Sequence, residues 1–142
     1  MHLVLEVLTA AQAFQKSAHK LFEPFGLTPA QFNVLNLLSD QPAGLRASDL
    51  ARALIVDPSN VTGLLKRMKK EGWLREIKST TDGRERIVAL SAKGRSAWSA
   101  ARRPYERSLA ALEAELAPPD RAVAEAVLRR LAAKAAELGE PT

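Results

Sequence analysis

Hydrophobic residues recur at helical spacing over most of the chain. In the first 25 residues they fall at steps of three and four, which places one apolar face on Val4, Leu8, Ala11, Phe14, Ala18, Leu21 and Phe22. Pro24 and Gly26 predict the end of this helix. Thr28, followed by Pro29 and Gln31, is a capping-box signal for a second helix, which should stop before Pro42 and Gly44.

The middle of the chain predicts two short helices followed by two strands. The first helix covers residues 47–54, and the second starts at Asp57-Pro58 and runs to about Glu71. Val61, Leu64, Leu65 and Met68 form its apolar stripe. Residues 73–78 and 86–90 have the composition of strands, and the polar stretch between them predicts a hairpin loop. Two helices and a hairpin in this order are typical of a winged helix-turn-helix.

The last third predicts two long helices. Ser91 should cap one that reaches about Leu116, and Pro118-Pro119 should start the other, whose apolar stripe is Val123, Val127, Leu131, Ala135 and Leu138. The predicted fold is therefore mainly α with a small β-hairpin. A winged helix-turn-helix lobe (28–95) is flanked by dimerisation helices (1–25 and 96–142) within one domain (1–142). A self-contained core between the terminal helices is the alternative to a dimer interface.

Charge is concentrated in the winged lobe. The net charge of the 142 residues is +5, yet residues 44–95 hold twelve Lys or Arg against six Asp or Glu. A basic zone favours a polyanionic partner such as nucleic acid. With no cysteine and two histidines, thiol chemistry is excluded and we expect no histidine-based metal site. The sequence has no nucleophile–base–acid set, P-loop or Rossmann glycine pattern, so we expect no enzyme activity and no cofactor. The first apolar run is interrupted by Glu6, so we expect no signal peptide, no membrane partner and a cytoplasmic location.

The exposed face of the second short helix carries small polar residues first and basic residues later. This face comprises Ser59, Asn60, Thr62, Gly63, Lys66, Arg67, Lys69 and Lys70. Such an order suits insertion of the helix into a DNA major groove, with hydroxyl and amide groups on base edges and a glycine permitting close approach. A solvated charged face is the alternative, which the adjoining helix and hairpin disfavour.

The hairpin loop carries arginines that can reach a neighbouring minor groove. Arg84 and Arg86 follow the Asp82-Gly83 turn at the tip, and Asp82 can pair with one of them and orient it. An ordinary polar Asp-Gly turn is the alternative interpretation.

Four stretches of the sequence resemble the MarR family of winged-helix regulators. They are residues 26–32 with 34–35, residues 48–51, residues 59–62 with 66–68 and 71–73, and residues 82–84 with 88–91 and Gly94. The resemblance implies a homodimer with intertwined terminal helices. It also implies binding to a pseudo-palindrome in double-stranded DNA, and usually repression that a small ligand relieves.

The resemblance also suggests further site residues. The family often has Ser or Thr where this chain has Arg46, so we expect Arg46 to contact phosphate. We expect Ser48 to contact phosphate as well, and also to supply a local helix cap. Lys69, Lys70 and Lys78 are further candidate phosphate contacts. The family's ligand crevice suggests Phe14, His19, Phe22 and Phe32 as ligand contacts, with Phe25, Trp98 and Tyr105 as other lining candidates. Plain core packing is the alternative for the aromatic residues.

A winged helix that docks proteins or binds RNA, without ligand control, is the alternative function. A protein-docking module should not need Lys66, Arg67, Arg84 and Arg86 to be gathered on the helix face and the wing. Double-stranded DNA with inverted half-sites about 10–10.5 base pairs apart is therefore the favoured partner.

Overall fold

A computed structural model describes residues 2–54, 58–78 and 86–141, with the side chains of Pro58 and Ser59 left out. The helices are α1 (His2–Phe22), α2 (Pro29–Leu38), α3 (Ala47–Ala53), α4 (Pro58–Lys70), α5 (Ala92–Glu113) and α6 (Pro118–Gly139), with a 3-10 turn at Glu23–Phe25. The strands are β1 (Leu45–Arg46), β2 (Leu74–Lys78) and β3 (Arg86–Leu90). The predicted mainly α class with an antiparallel pair of strands after α4 is confirmed. The chain divides into two compact units, Met1–Pro104 and Tyr105–Thr142.

The start of α2 follows the predicted capping box. The backbone N–H of Gln31 donates to Thr28 Oγ1 at 3.1 Å, and the backbone N–H of Thr28 donates to Gln31 Oε1 at 2.9 Å. These two bonds satisfy donors that the first turn of a helix cannot pair internally. Gly26 precedes them with a φ of 68°, which ends the 3-10 turn and lets the chain reverse into α2.

The core of the first unit forms around α2, α3, α4 and the sheet. Its buried side chains are Phe22, Leu27, Phe32, Val34, Leu35, Leu38, Leu50, Leu54, Val61, Leu64, Leu65, Met68, Leu74, Val88, Ala89, Leu90 and Ala101. Four of these residues form the apolar stripe predicted for α4. The aromatic rings of Phe22 and Phe32 stack with their centroids 4.4 Å apart, joining α1 to α2. Apolar burial of this kind is the main favourable term in folding, so it fixes α4 against the rest of the lobe.

The sheet contains one strand that the sequence did not predict. Its order is β1-β3-β2, both pairings are antiparallel, and Leu45 of β1 lies opposite Val88 of β3. Gly44 precedes β1 with a φ of 80°, and an added Cβ would lie 2.6 Å from the carbonyl oxygen of Val88. Glycine is therefore needed where the chain enters the sheet.

The start of α5 is fixed against the turn between α4 and β2. Ser91 Oγ accepts a hydrogen bond from the backbone N–H of Gly94 at 3.0 Å, as predicted for a cap, and donates one to the carbonyl of Gly72. Further along α5, Trp98 Nε1 donates to Asn36 Oδ1 at 3.0 Å. These bonds attach the first half of α5 to α4 and α2.

The second unit has no buried side chain among its described residues, 105–141. Its α6 begins at Pro118 with Asp120 in the first turn, as predicted. The second unit exposes large apolar side chains on the end of α5, in the connection and on α6, namely Leu109, Leu112, Leu116, Val123, Val127, Leu128, Leu131 and Leu138. In the first unit, α1 exposes Leu3, Val4, Leu5, Leu8 and Phe14. None of the helices in the described ranges is both long and apolar enough to cross a membrane.

Candidate nucleic-acid interface

An open groove of about 620 Å³ lies between α3, α4 and the two longer strands. We call it the recognition groove. It is lined by Ala47, Ser48, Ala51, Val61, Thr62, Leu65, Lys66, Lys69, Glu76, Arg86 and Val88. Five residues predicted to contact DNA therefore share one surface, although up to 38 positions separate them in sequence: Ser48, Thr62, Lys66, Lys69 and Arg86. The fold brings hydroxyl groups and cations together along one side of α4.

The outward face of α4 results from the spacing of its apolar residues. Val61, Leu64, Leu65 and Met68 are buried, while the predicted contact residues Asn60, Thr62, Lys66, Arg67 and Lys70 are exposed. Burial of one stripe leaves the opposite side chains in solvent, where a base edge or phosphate could reach them.

Gly63 is half-buried within this outward face. Among the described side chains, a Cβ at that position would meet the Arg67 guanidinium alone, at an ordinary 3.5 Å. Packing against the described residues therefore does not require glycine here, and the missing side chain leaves room against the helix backbone.

One acidic side chain neutralises a cation inside the recognition groove. Lys69 Nζ of α4 lies 2.5 Å from Glu76 Oε1 of β2. The hydrogen bond from Lys69, with the positive charges of Lys69 and Arg86, holds the pKa of Glu76 below its ordinary value against a smaller opposing effect of desolvation. Lys69, a predicted phosphate contact, is thus already bound to a carboxylate.

The start of α3 carries a second ion-pair cluster. Arg46 is the N-cap residue, and its Nε donates to Asp49 Oδ2 at 3.0 Å, while Arg52 also pairs with Asp49. The hydrogen bond from Arg46 is the largest cause that lowers the pKa of Asp49. The predicted local cap by Ser48 is wrong, because Ser48 is the second residue of the helix and α3 has no side-chain cap. Arg46 keeps about half of its side chain exposed and can still reach a surface ligand.

The base of the wing is basic on both strands. Lys78 of β2 lies opposite Arg86 of β3, and both are exposed. Asp82 and Arg84, the other predicted wing contacts, lie outside the described residues, as do Asp57 and the side chain of Ser59.

The four candidate ligand contacts lie in different surroundings within the described part of the chain. Phe22 and Phe32 are 2% and 0% exposed and stack in the core, whereas Phe14 is 55% exposed on α1. His19 lines a separate shallow groove of about 310 Å³ with Glu23, Gly26, Leu27 and Thr28. Core packing accounts for the two buried phenylalanines in this structure.

The other aromatic candidates also have local roles. The indole of Trp98 is held by Asn36 and lies 5.1 Å from the Arg102 guanidinium, a cation–π distance. Phe25 is half-buried in the first unit, and Tyr105 is half-buried in the second.

Two short helices, an exposed polar-to-basic face on the second and an antiparallel strand pair together define a winged helix-turn-helix DNA-binding protein. The chain belongs to the MarR family of transcriptional regulators, as the resemblance in its sequence indicated. A sequence model described as the MarR family matches residues 25–85.

Two characterised relatives support this assignment. The HTH-type transcriptional repressor Mb2911 of Mycobacterium bovis is 30% identical over 108 residues, covering 76% of this chain and 77% of that protein. The transcriptional activatory protein BadR of Rhodopseudomonas palustris is 32% identical over 108 residues, covering 75% of this chain. The match spans only 62% of the length of BadR.

Solved structures share the fold. MosR of Mycobacterium tuberculosis in complex with DNA is 26% identical with a TM-score of 0.74, covering 94% of this chain and 96% of that one. PcaV of Streptomyces coelicolor in complex with its natural ligand is 25% identical with a TM-score of 0.74, covering 89% of this chain and 91% of that one.

Proposed function

We propose that this regulator is a homodimeric repressor that reads a pseudo-palindromic DNA operator with its recognition groove and leaves it when a small ligand binds. The observation that carries the proposal is the gathering of Ser48, Thr62, Lys66 and Arg86 on one exposed, basic surface. The buried stripe of α4 holds this surface rigidly, as base recognition requires.

The first half of α4 enters the major groove in this proposal. Asn60 and Thr62 contact base edges, with Ser59 beside them, and the small Gly63 permits close approach. Lys66 and Arg67 reach guanine edges or phosphates. The remaining cations and hydroxyls, Arg46, Ser48, Lys70 and Lys78, contact the DNA backbone, while Asp82, Arg84 and Arg86 direct the wing to the minor groove.

Dimerisation supplies the second recognition groove. Exposed apolar side chains on α1, and separately on α6, are costly in water and are typical of surfaces that a second subunit covers. The twofold axis places half-sites about 10–10.5 base pairs apart. The single-domain organisation, with residues 1–25 and 96–142 as dimerisation helices, belongs to this proposal.

Release by a ligand is supported by PcaV, which was solved with its natural ligand. We place a small, anionic aromatic effector beside Phe14 and His19, and Phe22 and Phe32 join its site only if their stacked pair opens. Repression is supported by Mb2911, which is named a repressor. The protein acts without catalysis and in the cytoplasm, where its DNA lies.

The test is selection of binding sites from random duplexes by the unmodified protein and by Lys66→Ala. We expect an inverted repeat for the unmodified protein, and a relaxed preference at one position per half-site for the variant. Each position loses about 1–3 kcal/mol of discrimination. Arg129→Ala is the matched control, since it also removes one exposed cation but on α6, where Arg129 pairs with Glu125.

Two results would contradict the proposal. Selection that enriches no duplex removes sequence-specific DNA recognition. Equal or tighter binding to RNA of the selected sequence favours the RNA-binding alternative.

A further inference from the structure

The ion pair between Lys69 and Glu76 lies where DNA is expected. Both side chains line the recognition groove, and 36% and 42% of their respective surfaces remain exposed. Among the described residues that line this groove, Glu76 is the acidic one. Its carboxylate stands among the cations Lys66, Lys69 and Arg86 on a surface whose proposed partner is a polyanion.

The stability of the fold does not explain why Lys69 and Glu76 form an ion pair here. Exposed ion pairs contribute little to folding, because solvent screens them and two flexible side chains must be ordered. The buried stripe of α4, which includes Met68 at 0% exposure, already holds the helix against the core. A carboxylate at this position also repels phosphate, so it weakens DNA binding unless it serves another purpose.

We propose that Glu76 competes with DNA phosphate for Lys69 and thereby improves discrimination between the operator and other DNA. This inference rests on the proposed function. In the free protein Glu76 occupies Lys69, and a phosphate gains this cation only by displacing the carboxylate. Lys69 then adds little to binding that depends on charge alone.

Competition by Glu76 should affect non-specific DNA complexes and the operator complex differently. Non-specific binding is supplied almost entirely by phosphate contacts, and a loosely held protein can turn any free cation toward the backbone. In the operator complex, base contacts would set the orientation of α4. Lys69, which lies beside β2 in the protein alone, would then stay there. Holding Lys69 on Glu76 therefore reduces non-specific affinity more than operator affinity.

The experiment compares Glu76→Gln with the unmodified protein on two duplexes of equal length, the selected operator and a scrambled sequence. Removing the charge while keeping the shape should tighten binding to scrambled DNA several-fold. The slope of log affinity against log salt should become steeper by about 1 per protomer. The gain on the operator should be smaller, so the ratio of the two affinities should fall.

Two controls distinguish competition for Lys69 from a general effect of net charge on DNA binding. Glu125→Gln changes the net charge equally and removes an exposed ion pair with Arg129 on α6, yet it should alter neither affinity. In a Lys69→Gln background, Glu76→Gln should lose most of its effect, because the cation for which it competes is absent.

Each arm has an outcome that overturns the proposal. Unchanged or weaker binding of Glu76→Gln to scrambled DNA removes the competition, and equal gains on both duplexes remove the discrimination. A full effect in the Lys69→Gln background shows general repulsion instead. Lack of operator preference in the unmodified protein contradicts the proposed function itself, whereas a preference that Glu76→Gln leaves unchanged contradicts only the role of Glu76.

Discussion

Gly94 shows how a single atom sets the geometry at the start of α5. It is buried, and a Cβ at this position would overlap the carbonyl oxygen of Trp73. That carbonyl also accepts the backbone N–H of Ser91 at 3.0 Å, so it cannot move aside without losing a hydrogen bond. The junction between the turn after α4 and the first turn of α5 therefore depends on the missing side chain.

At this scale we expect Gly94→Ala to reduce the free energy of unfolding by about 1–3 kcal/mol, despite the better helix propensity of alanine. Urea unfolding at fixed protein concentration measures the change. Gly139→Ala is the matched control, because a Cβ there meets nothing within 4 Å at the end of α6. Equal stability of the two variants would show that the start of α5 relaxes freely.

Among the helices, α4 combines two roles on opposite faces. Its apolar face is buried in the core, and its outward face lines the recognition groove. Helix stability favours a residue other than glycine at position 63, and the described neighbours leave room for a Cβ there. A glycine in a helix interior costs about 0.5–1 kcal/mol relative to alanine. Close approach of DNA to the backbone would explain why the helix carries that cost.

For this element we expect Gly63→Ala to raise the free energy of unfolding by about 0.5–1 kcal/mol while weakening operator binding. A loss of roughly tenfold in affinity corresponds to about 1.4 kcal/mol. Thermal unfolding and fluorescence anisotropy measure the two changes on the same sample. A stabilised variant with unchanged operator affinity would show that DNA does not approach Gly63 closely.

The whole molecule exposes more apolar surface on its helices than a stable monomer normally does. On α6 the apolar residues Val127, Leu128 and Leu131 are between 38% and 50% exposed, and no residue of this helix is buried. An isolated helix gains little stability in water without a surface to pack against. A second copy that buries these residues is therefore part of the proposed function.

At the scale of the assembly we expect Leu131→Glu to raise the dimer dissociation constant at least a hundredfold. An unpaired charge buried in an apolar interface costs on the order of 3 kcal/mol or more. Ala122→Glu is the control, because nine residues are two and a half helical turns and place it on the opposite face of α6. Light scattering should give the 15.4 kDa monomer mass for Leu131→Glu alone. Equal masses for both variants would contradict an α6 interface.

Local signals predicted most of the fold, and contacts distant in sequence account for what they missed. The capping box at Thr28 and the apolar stripe of α4 depend on residues within one or two turns, so the sequence displays them directly. Strand β1 has two residues, too few to show alternation, and it forms only by pairing with β3.

The same limit applies to the candidate site. The polar and basic face of α4 was visible in the sequence. The recognition groove brings Thr62 and Lys66 of this face together with Ser48 of α3 and Arg86 of β3. The ion pair between Lys69 and Glu76 joins a helix to a strand, so no local sequence pattern predicted it. Ser48 was wrongly expected to cap α3, because it is the second residue of that helix and the N-cap position belongs to Arg46.

The order of the sheet has a consequence for synthesis of the protein on the ribosome. The first strand leaves the ribosome about 40 residues before its only described partner strand, since Leu45 pairs with Val88. The chain emerges from its amino end, so the helix-turn-helix cannot be closed by the sheet until β3 has been translated and released. A nascent chain stopped before residue 86 would contain every proposed base-reading residue of α4. It would lack β3, which pairs with β1 before α3 and with β2 after α4.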